Sequence, residues 1–307
     1  MLKKIIFMGT PYFAVPILKS LYQNGYPVSA VYTQPPKKSN RGQKINKSPV
    51  QSLSETLNIE LRNPISLKNN DEEKNFIKKL NADLAIVVAY GQLIPKDFLD
   101  LTKKGFINIH ASLLPKWRGA APLQRSIMNQ EKETGISIMK IIEELDAGPI
   151  CKTYNLEILE NENVESLSER LSLLAAKKIL DDIDEILEDR AVFKNQEDIK
   201  ATYANKILKS EGKISWSETV KNIIGKINGL YPNSFFLYKG ERYKILKAEP
   251  SNKIGEIGSV LSDDLDIGCK EGSIKILEIQ REGKRPQKIN EFILGSKIKK
   301  GSNLKNV

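Results

Sequence analysis

The run Leu84-Ala85-Ile86-Val87-Val88-Ala89 constrains the fold more than any other stretch of the chain. Six residues are too few for a stable helix, and both faces that a strand would present here are apolar. Such a strand must be covered on both sides, the situation of a strand inside a parallel sheet flanked by helices. The surrounding sequence repeats the scheme. Residues 3–8, 28–33, 106–110 and 136–142 read as further strands. Helical patterns lie between them. Thr10 caps one with Pro11 in its first turn, and it ends near Asn24-Gly25, with Pro16 delaying its regular part. Ser48-Pro49 opens another that runs to Leu57. Residues 71–80, 122–129 and 164–187 follow, the last as a long amphipathic helix. Strands alternating with helices predict an α/β fold with a doubly wound, largely parallel sheet.

The pattern changes after Arg190. Residues 191–208 have few apolar anchors and read as a linker between a first domain, 1–190, and a second, 209–307. The second begins with a helical stretch, 217–228. Short strands then follow at close spacing, at 234–238, 242–248, 257–261 and 273–280, separated by turn residues such as Lys239-Gly240 and Glu271-Gly272. This predicts a small β domain closed as a barrel, with Trp216 in its core. The lysine-rich end, 297–307, is expected to fray.

Charge is distributed unevenly. Of a net +10, residues 205–307 carry 20 Lys and Arg against 12 Asp and Glu, and residues 1–204 carry 28 against 26. A basic second half suits a polyanionic partner. Solubilising surface lysines would give the same count. No apolar run reaches the roughly 18 residues needed to span a bilayer. The start, two lysines and a short apolar run that stops at Gly9-Thr10-Pro11, lacks a small-residue cleavage site and reads as a first strand, which places the chain in the cytoplasm. Cys151 and Cys269 are far apart and the chain has one histidine, so neither a disulfide framework nor a metal site is expected.

That histidine is the centre of the chemistry. Ligands of open α/β sheets bind at the carboxyl ends of strands. Residues 106–110 put Asn108 and His110 at such an end and, two apart, on the same face. Asp146 lies in the turn Leu145-Asp146-Ala147-Gly148 after the next strand. An amide, an imidazole and a carboxylate converging on one cleft suit acyl transfer to an amine. The amide donates to a developing oxyanion, the imidazole helps to stabilise it, and the carboxylate orients the imidazole. No Ser or Cys stands beside the histidine as an evident nucleophile, so direct transfer is expected. Taken singly, His110 could as well end a buried strand and Asp146 could be ordinary turn chemistry.

The wider string weighs against that. Asn108-Ile109-His110-Ala111-Ser112-Leu113-Leu114-Pro115-Lys116-Trp117-Arg118-Gly119-Ala120-Ala121-Pro122 resembles the signature of the folate-dependent formyltransferases. Thr134-Gly135, Leu145-Asp146-Ala147-Gly148, Gly9-Thr10-Pro11 and Val88-Ala89-Tyr90-Gly91 stand at the family's spacing. The likeness covers essentially the whole chain and is closest to the branch that acts on tRNA. It implies a formyltransferase fold, a Rossmann-like sheet of seven strands followed by an OB-like barrel. It also implies formyl transfer from 10-formyltetrahydrofolate to the α-amino group of methionyl initiator tRNA, with no metal; a monomer is a separate expectation. On that resemblance Asn108, His110 and Asp146 are the catalytic set. Ser112, Leu113, Leu114 and Pro115, with Ala89, Tyr90 and Gly91, border the folate.

Three further features are read beside it. Gly9-Thr10-Pro11 follows a strand and opens a helix, but it lacks the second glycine of a dinucleotide fingerprint and Pro11 removes a donor. The turn could border a methionyl pocket, with Phe13 either an apolar contact there or a core aromatic. Residues 34–49 form a long basic loop with Lys37, Lys38, Arg41, Lys44 and Lys47 and no acid. In tRNA formyltransferases an insertion like it grips the acceptor arm, with an arginine at the position of Arg41. Lys206 and Lys209 extend the basic character. Arg118 could hold an acidic group or fix its own loop. The rival readings are a formyltransferase for an amino sugar or a glycinamide nucleotide and, from another class, a non-catalytic RNA-binding protein.

Overall fold

The computed structural model describes residues 3–39 and 44–304. The chain forms two compact units: Met1–Gly119 with Gly135–Leu156 and Ser168–Tyr203, and Ala120–Thr134 with Glu157–Leu167 and Ala204–Val307.

A seven-stranded sheet organises the first unit. Its order is Ile150–Glu157, Glu133–Lys140, Phe106–His110, Leu84–Val88, Ile5–Gly9, Val28–Tyr32, Leu61–Arg62. The strands from Phe106–His110 to Leu61–Arg62 pair in parallel. Glu133–Lys140 meets Phe106–His110 antiparallel, with Asn108 opposite Met139 and His110 opposite Ser137. The central strands Ile5–Gly9 and Leu84–Val88 are buried at every residue, as coverage on both faces demands.

Local chemistry places the helices. Ser48 caps Pro49–Thr56 by accepting from the Gln51 amide, and Pro49 takes the first helical position, where a missing N–H costs nothing. Asn70 caps Asp71–Leu80 through the Glu73 amide. That helix carries three acids in its first turn and Lys78 and Lys79 in its last, each sign matched to the helix dipole. The first helix starts later than its Thr10 signal suggests. Tyr12–Ala14 is a 3₁₀ turn, and the α-helix runs Val15–Gln23 with Pro16 in its first turn. The basic stretch 34–49 is not wholly irregular. Lys37–Ser39 and Lys44–Asn46 pair as a short antiparallel hairpin. The stretch read as the start of a linker is tied into this unit, since Lys194 and Ile150 exchange both backbone hydrogen bonds and Asp198–Lys200 forms a 3₁₀ turn.

The second unit holds an antiparallel half-barrel sheet ordered Phe235–Tyr238, Glu241–Ser251, Ser273–Arg281, Asp266–Gly268, with Gln287–Lys288 added beside Ser273–Arg281. Trp216 packs edge-on against Phe236, which stacks on Tyr243 at 5.4 Å, and Phe292 completes the cluster. The helix Val220–Gly229 packs on Pro122–Met128 so closely that a Cβ on Gly225 would lie 2.9 Å from the Met128 carbonyl oxygen. Two expectations fail here. Residues 257–261 are not a strand. Only isolated bridges form at Ser259 and Val260, because Gly258 turns the backbone with φ +76°, and the amides of Val260 and Leu261 bond to the separate carbonyls of Ser302 and Asp266. Nor do residues 297–304 fray, because Ile298 and Leu304 are buried in the core after a helix, Ile289–Gly295; the expectation for 305–307 lies outside the described residues. Among the described residues no helix is long and apolar enough to cross a membrane.

Candidate active site

Asn108 and His110 stand at the carboxyl end of Phe106–His110, with the neighbouring strand Leu84–Val88 in register so that Val87 faces Asn108. Ala89, Tyr90 and Gly91 therefore leave the adjacent strand at the same edge as His110. Asp146 reaches both residues. Asn108 Nδ2 donates to Asp146 Oδ1 at 3.3 Å, and His110 Nδ1 lies 3.7 Å from Asp146 Oδ2. The Gly119 amide also donates to Oδ2, at 2.9 Å. The histidine and aspartate side chains are both largely buried, 7% and 12% exposed, so solvent screens little of any charge between them. On its other side, His110 Nε2 bonds the Trp117 carbonyl oxygen at 2.9 Å. A carbonyl can only accept, so Nε2 holds a proton whether or not the ring is charged. Nδ1 faces the carboxylate.

Two backbone residues here take the left-handed conformation unusual for non-glycine side chains, Trp117 at φ +62° and Asp146 at φ +49°. Together they aim a carbonyl at Nε2 and a carboxylate at Nδ1. Gly148 lets the turn close. A Cβ there would overlap the Lys140 carbonyl oxygen and sit 2.9 Å from its carbon. Gly135 has the same role against Tyr154, 3.0 Å from that carbonyl carbon.

The segment Ser112-Leu113-Leu114-Pro115 is held from beneath by Ser137, whose hydroxyl donates to the Ser112 carbonyl at 2.7 Å and accepts from the Leu114 amide at 3.0 Å. Ser112 is buried and its own hydroxyl donates to the Lys116 carbonyl, so its side chain is engaged in the loop. At the next strand ends, the Thr10 hydroxyl donates to the Tyr90 carbonyl at 2.7 Å and accepts from the Gln34 amide. Gln34 Nε2 bonds the carbonyls of Tyr90 and Gly91. The turn 89–91, with φ +48° at Ala89 and +79° at Gly91, is thus stitched to the Gly9-Thr10-Pro11 turn. The Tyr90 ring lies in the core, and burial pushes its hydroxyl well above the usual phenol range.

The remaining residues singled out in the sequence are spread more widely. Phe13 is buried, 8% exposed, whereas its neighbour Tyr12 is exposed. Arg118 fixes its own loop. Its side chain is fully buried, donating from Nε to Gln196 and from Nη2 to Asp198. Gln196 and Asp198 carried no signal in the sequence, since an isolated amide and acid in a polar stretch announce nothing. Lys47 pairs with Glu55 at 2.6 Å. Lys37, Lys38 and Lys44 lie on the hairpin strands, and Arg41 falls outside the described residues. Lys206 and Lys209 are exposed in the second unit. Burial raises the thiols of Cys151 and Cys269 to about 12 and about 11, so neither is a ready nucleophile. Among the described residues no group of His, Cys, Asp and Glu is placed to hold a metal ion.

Residues 3–183 match the family described as formyl transferase, and residues 206–297 match the formyl transferase C-terminal domain. A methionyl-tRNA formyltransferase from Pelagibacter ubique is 64% identical over the full length of both chains. One from Jannaschia sp. is 41% identical over 97% of this chain and 99% of its own. Among solved structures, an N-formyltransferase from Helicobacter canadensis, in complex with folinic acid and dTDP-3-aminofucose, superposes with a TM-score of 0.69. It is 20% identical and covers 92% of this chain and 100% of its own. HypX from Aquifex aeolicus, in complex with tetrahydrofolic acid, superposes at 0.66 with 16% identity, over 96% of this chain and 47% of its own. With an amide, an imidazole and a carboxylate joined at the edge of this sheet, and with two matched regions that span nearly all of its length, the chain belongs to the formyl transferase family.

Proposed function

We propose that this chain transfers a formyl group from 10-formyltetrahydrofolate to the α-amino group of methionyl initiator tRNA, the modification that prepares it for translation initiation in the cytoplasm. The observation that carries the reading is the Asp146 hub, whose carboxylate accepts from the Asn108 side chain and the Gly119 amide and lies 3.7 Å from His110 Nδ1 at one buried strand end. The full-length likeness to methionyl-tRNA formyltransferases supports the choice of acceptor.

In this reading the folate supplies the activated formyl carbon, and the chain does the rest. An α-amino group has an ordinary pKa near 7.7–8.0, so a useful share is already neutral at cellular pH. Asn108 Nδ2 carries two hydrogens. Asp146 takes one and the other is available to an oxygen that gains charge. The amine nitrogen bonds the formyl carbon, and the bond from that carbon to folate N10 breaks. His110 takes at Nδ1 the proton the amine loses and returns it to N10, with Asp146 holding the ring and balancing its charge. The Leu113-Leu114-Pro115 segment and the Ala89-Tyr90-Gly91 turn flank this point and suit a flat heteroaromatic ring, offering apolar side chains beside main-chain groups. Ser112 supports that segment from within. Phe13 lies behind the methionyl end. The catalytic assignments all fall in the first unit of one copy, so a monomer suffices.

The basic hairpin and loop serve the tRNA. Lys37, Lys38, Arg41, Lys44 and Lys47 supply positive charge with no acid inside the segment, and Lys206, Lys209 and the basic region 209–307 add to it. Arg41 matters most, because a guanidinium holds a phosphate through two hydrogen bonds or reaches a base edge. The test is kcat/KM on charged initiator tRNA beside folate binding, at two salt concentrations. Arg41→Ala should lower kcat/KM roughly tenfold or more, on the scale of a contact of about 1–3 kcal/mol, with folate affinity unchanged. Formylation of a nucleotide-linked amino sugar in place of methionyl initiator tRNA would overturn the acceptor.

A further inference from the structure

We propose that Gln196, between the two regions that match the family, is a positioning residue for the Asp146 turn. Asp146 sits at φ +49°, a conformation that a non-glycine residue keeps only when its surroundings hold it. Gln196 supplies that hold. Its Nε2 donates to the Asp146 carbonyl at 2.9 Å and to the Gly148 carbonyl at 2.8 Å, bridging the two sides of the turn. Its Oε1 accepts from Arg118 Nε at 3.0 Å, so all the polar atoms of the amide are engaged at once.

The same segment grips the other half of the site. The Thr202 hydroxyl accepts from the Trp117 amide at 2.9 Å, and the Thr202 carbonyl accepts from the Arg118 amide at 2.9 Å. Trp117 provides the carbonyl that bonds His110 Nε2, and Gly119 provides the amide that bonds Asp146 Oδ2. Residues 196–202 therefore clamp both main-chain stretches that orient the imidazole and the carboxylate. Only an amide can do what Gln196 does, with two donations to carbonyls and one acceptance from a guanidinium. A glutamate would keep the bond to Arg118 and lose both bonds to the turn.

The inference rests on the proposed reading of Asp146 as part of the reacting site, and its test separates the two. Gln196→Glu in the full chain is measured three ways. The kcat should fall about tenfold to a hundredfold with KM for folate and tRNA within threefold, since a displaced turn harms the reacting geometry and not the binding surfaces. Hydrogen exchange across residues 141–149 should quicken, whatever acceptor is used. In an Asp146→Ala background, Gln196→Glu should cost less than a further twofold, because a residue that acts through Asp146 has nothing left to act on. Gln196→Ala should follow the same pattern. Near-normal kcat, unchanged exchange at 141–149, or a full repeated loss in the Asp146→Ala background would each overturn the assignment. If the wild-type chain failed on methionyl initiator tRNA while the exchange result held, the acceptor would fall and the clamp would stand.

Discussion

Gly148→Ala is the sharpest perturbation of the site that removes none of its catalytic side chains. An added Cβ would sit 2.9 Å from the Lys140 carbonyl carbon and overlap its oxygen, and it would also lie 3.3 Å from Met139 Cε. Carbon atoms pack at about 3.5–4.0 Å, so the turn must retreat by on the order of 1 Å. Lys140 is anchored in a sheet strand, opposite Ile107. The turn is the freer partner, and it carries Asp146. A misplacement of about 1 Å at a reacting geometry can cost roughly 10²-fold in rate. Gly148→Ala should accordingly lower kcat by about two orders of magnitude, with folate affinity preserved. Single-turnover formylation at saturating tRNA, beside calorimetric folate binding, reads both quantities. Gly295→Ala is the control, since nothing stands within 4 Å of a Cβ there and it should leave kcat unchanged. A Gly148→Ala enzyme within threefold of wild type would show that the Asp146 turn tolerates displacement, and the rigid-hub reasoning would fail.

Two other outcomes are expected. His110→Ala should reduce turnover by about 10²–10⁴-fold while folate and tRNA still bind, and near-normal turnover in a folded variant would remove the imidazole from the chemistry. Asp182, 3% exposed, has its carboxyl raised above the ordinary 3.8, first by burial and against the hydrogen bond from Tyr154 and the charge of Lys152. A raised acid favours the folded state while protonated and loses that advantage as pH climbs through its folded value. Asp182→Asn can still accept from the Tyr154 hydroxyl, so it should raise Tm at pH 7. Its advantage should vanish near and below pH 3.8, and a lower Tm at pH 7 would contradict the sign.

Much of the first unit could be read from the chain because its signals are local. The run at 84–88 is apolar on both faces, Asn70 and Ser48 are caps with donors three residues on, and the short strand 106–110 fixes which way Asn108 and His110 point. Convergence of Asp146 on that strand followed from sheet topology, yet the means was not legible. It depends on left-handed backbone at Trp117, which a tryptophan does not announce, and at Asp146, which an aspartate in a turn permits without requiring. The misreadings have physical causes as well. Residues 257–261 are a short, largely apolar run of strand length, but Gly258 turns the chain before a ladder can form. Ile298 and Leu304 are isolated apolar residues among lysines, and burial of such a pair is decided by the core they meet, since they show no periodicity. Arg118 looked equally suited to a ligand or to its own loop, and only the fold brings Gln196 and Asp198 to it, 78 and 80 residues away.

The helix Pro122–Met128 has a bearing on how such a protein can be recombined. It belongs to the second unit although it lies 75 residues before Ala204, and Gly225 and Gly229 are fitted to its backbone and to the Met128 side chain. A chimera that exchanges everything after a single crossover near residue 204 would pair these glycines with a foreign helix. A truncation at Arg190 would strip that helix of its partner altogether. Productive exchange between relatives needs five breakpoints, so that the three segments 120–134, 157–167 and 204–307 travel as one inheritance unit.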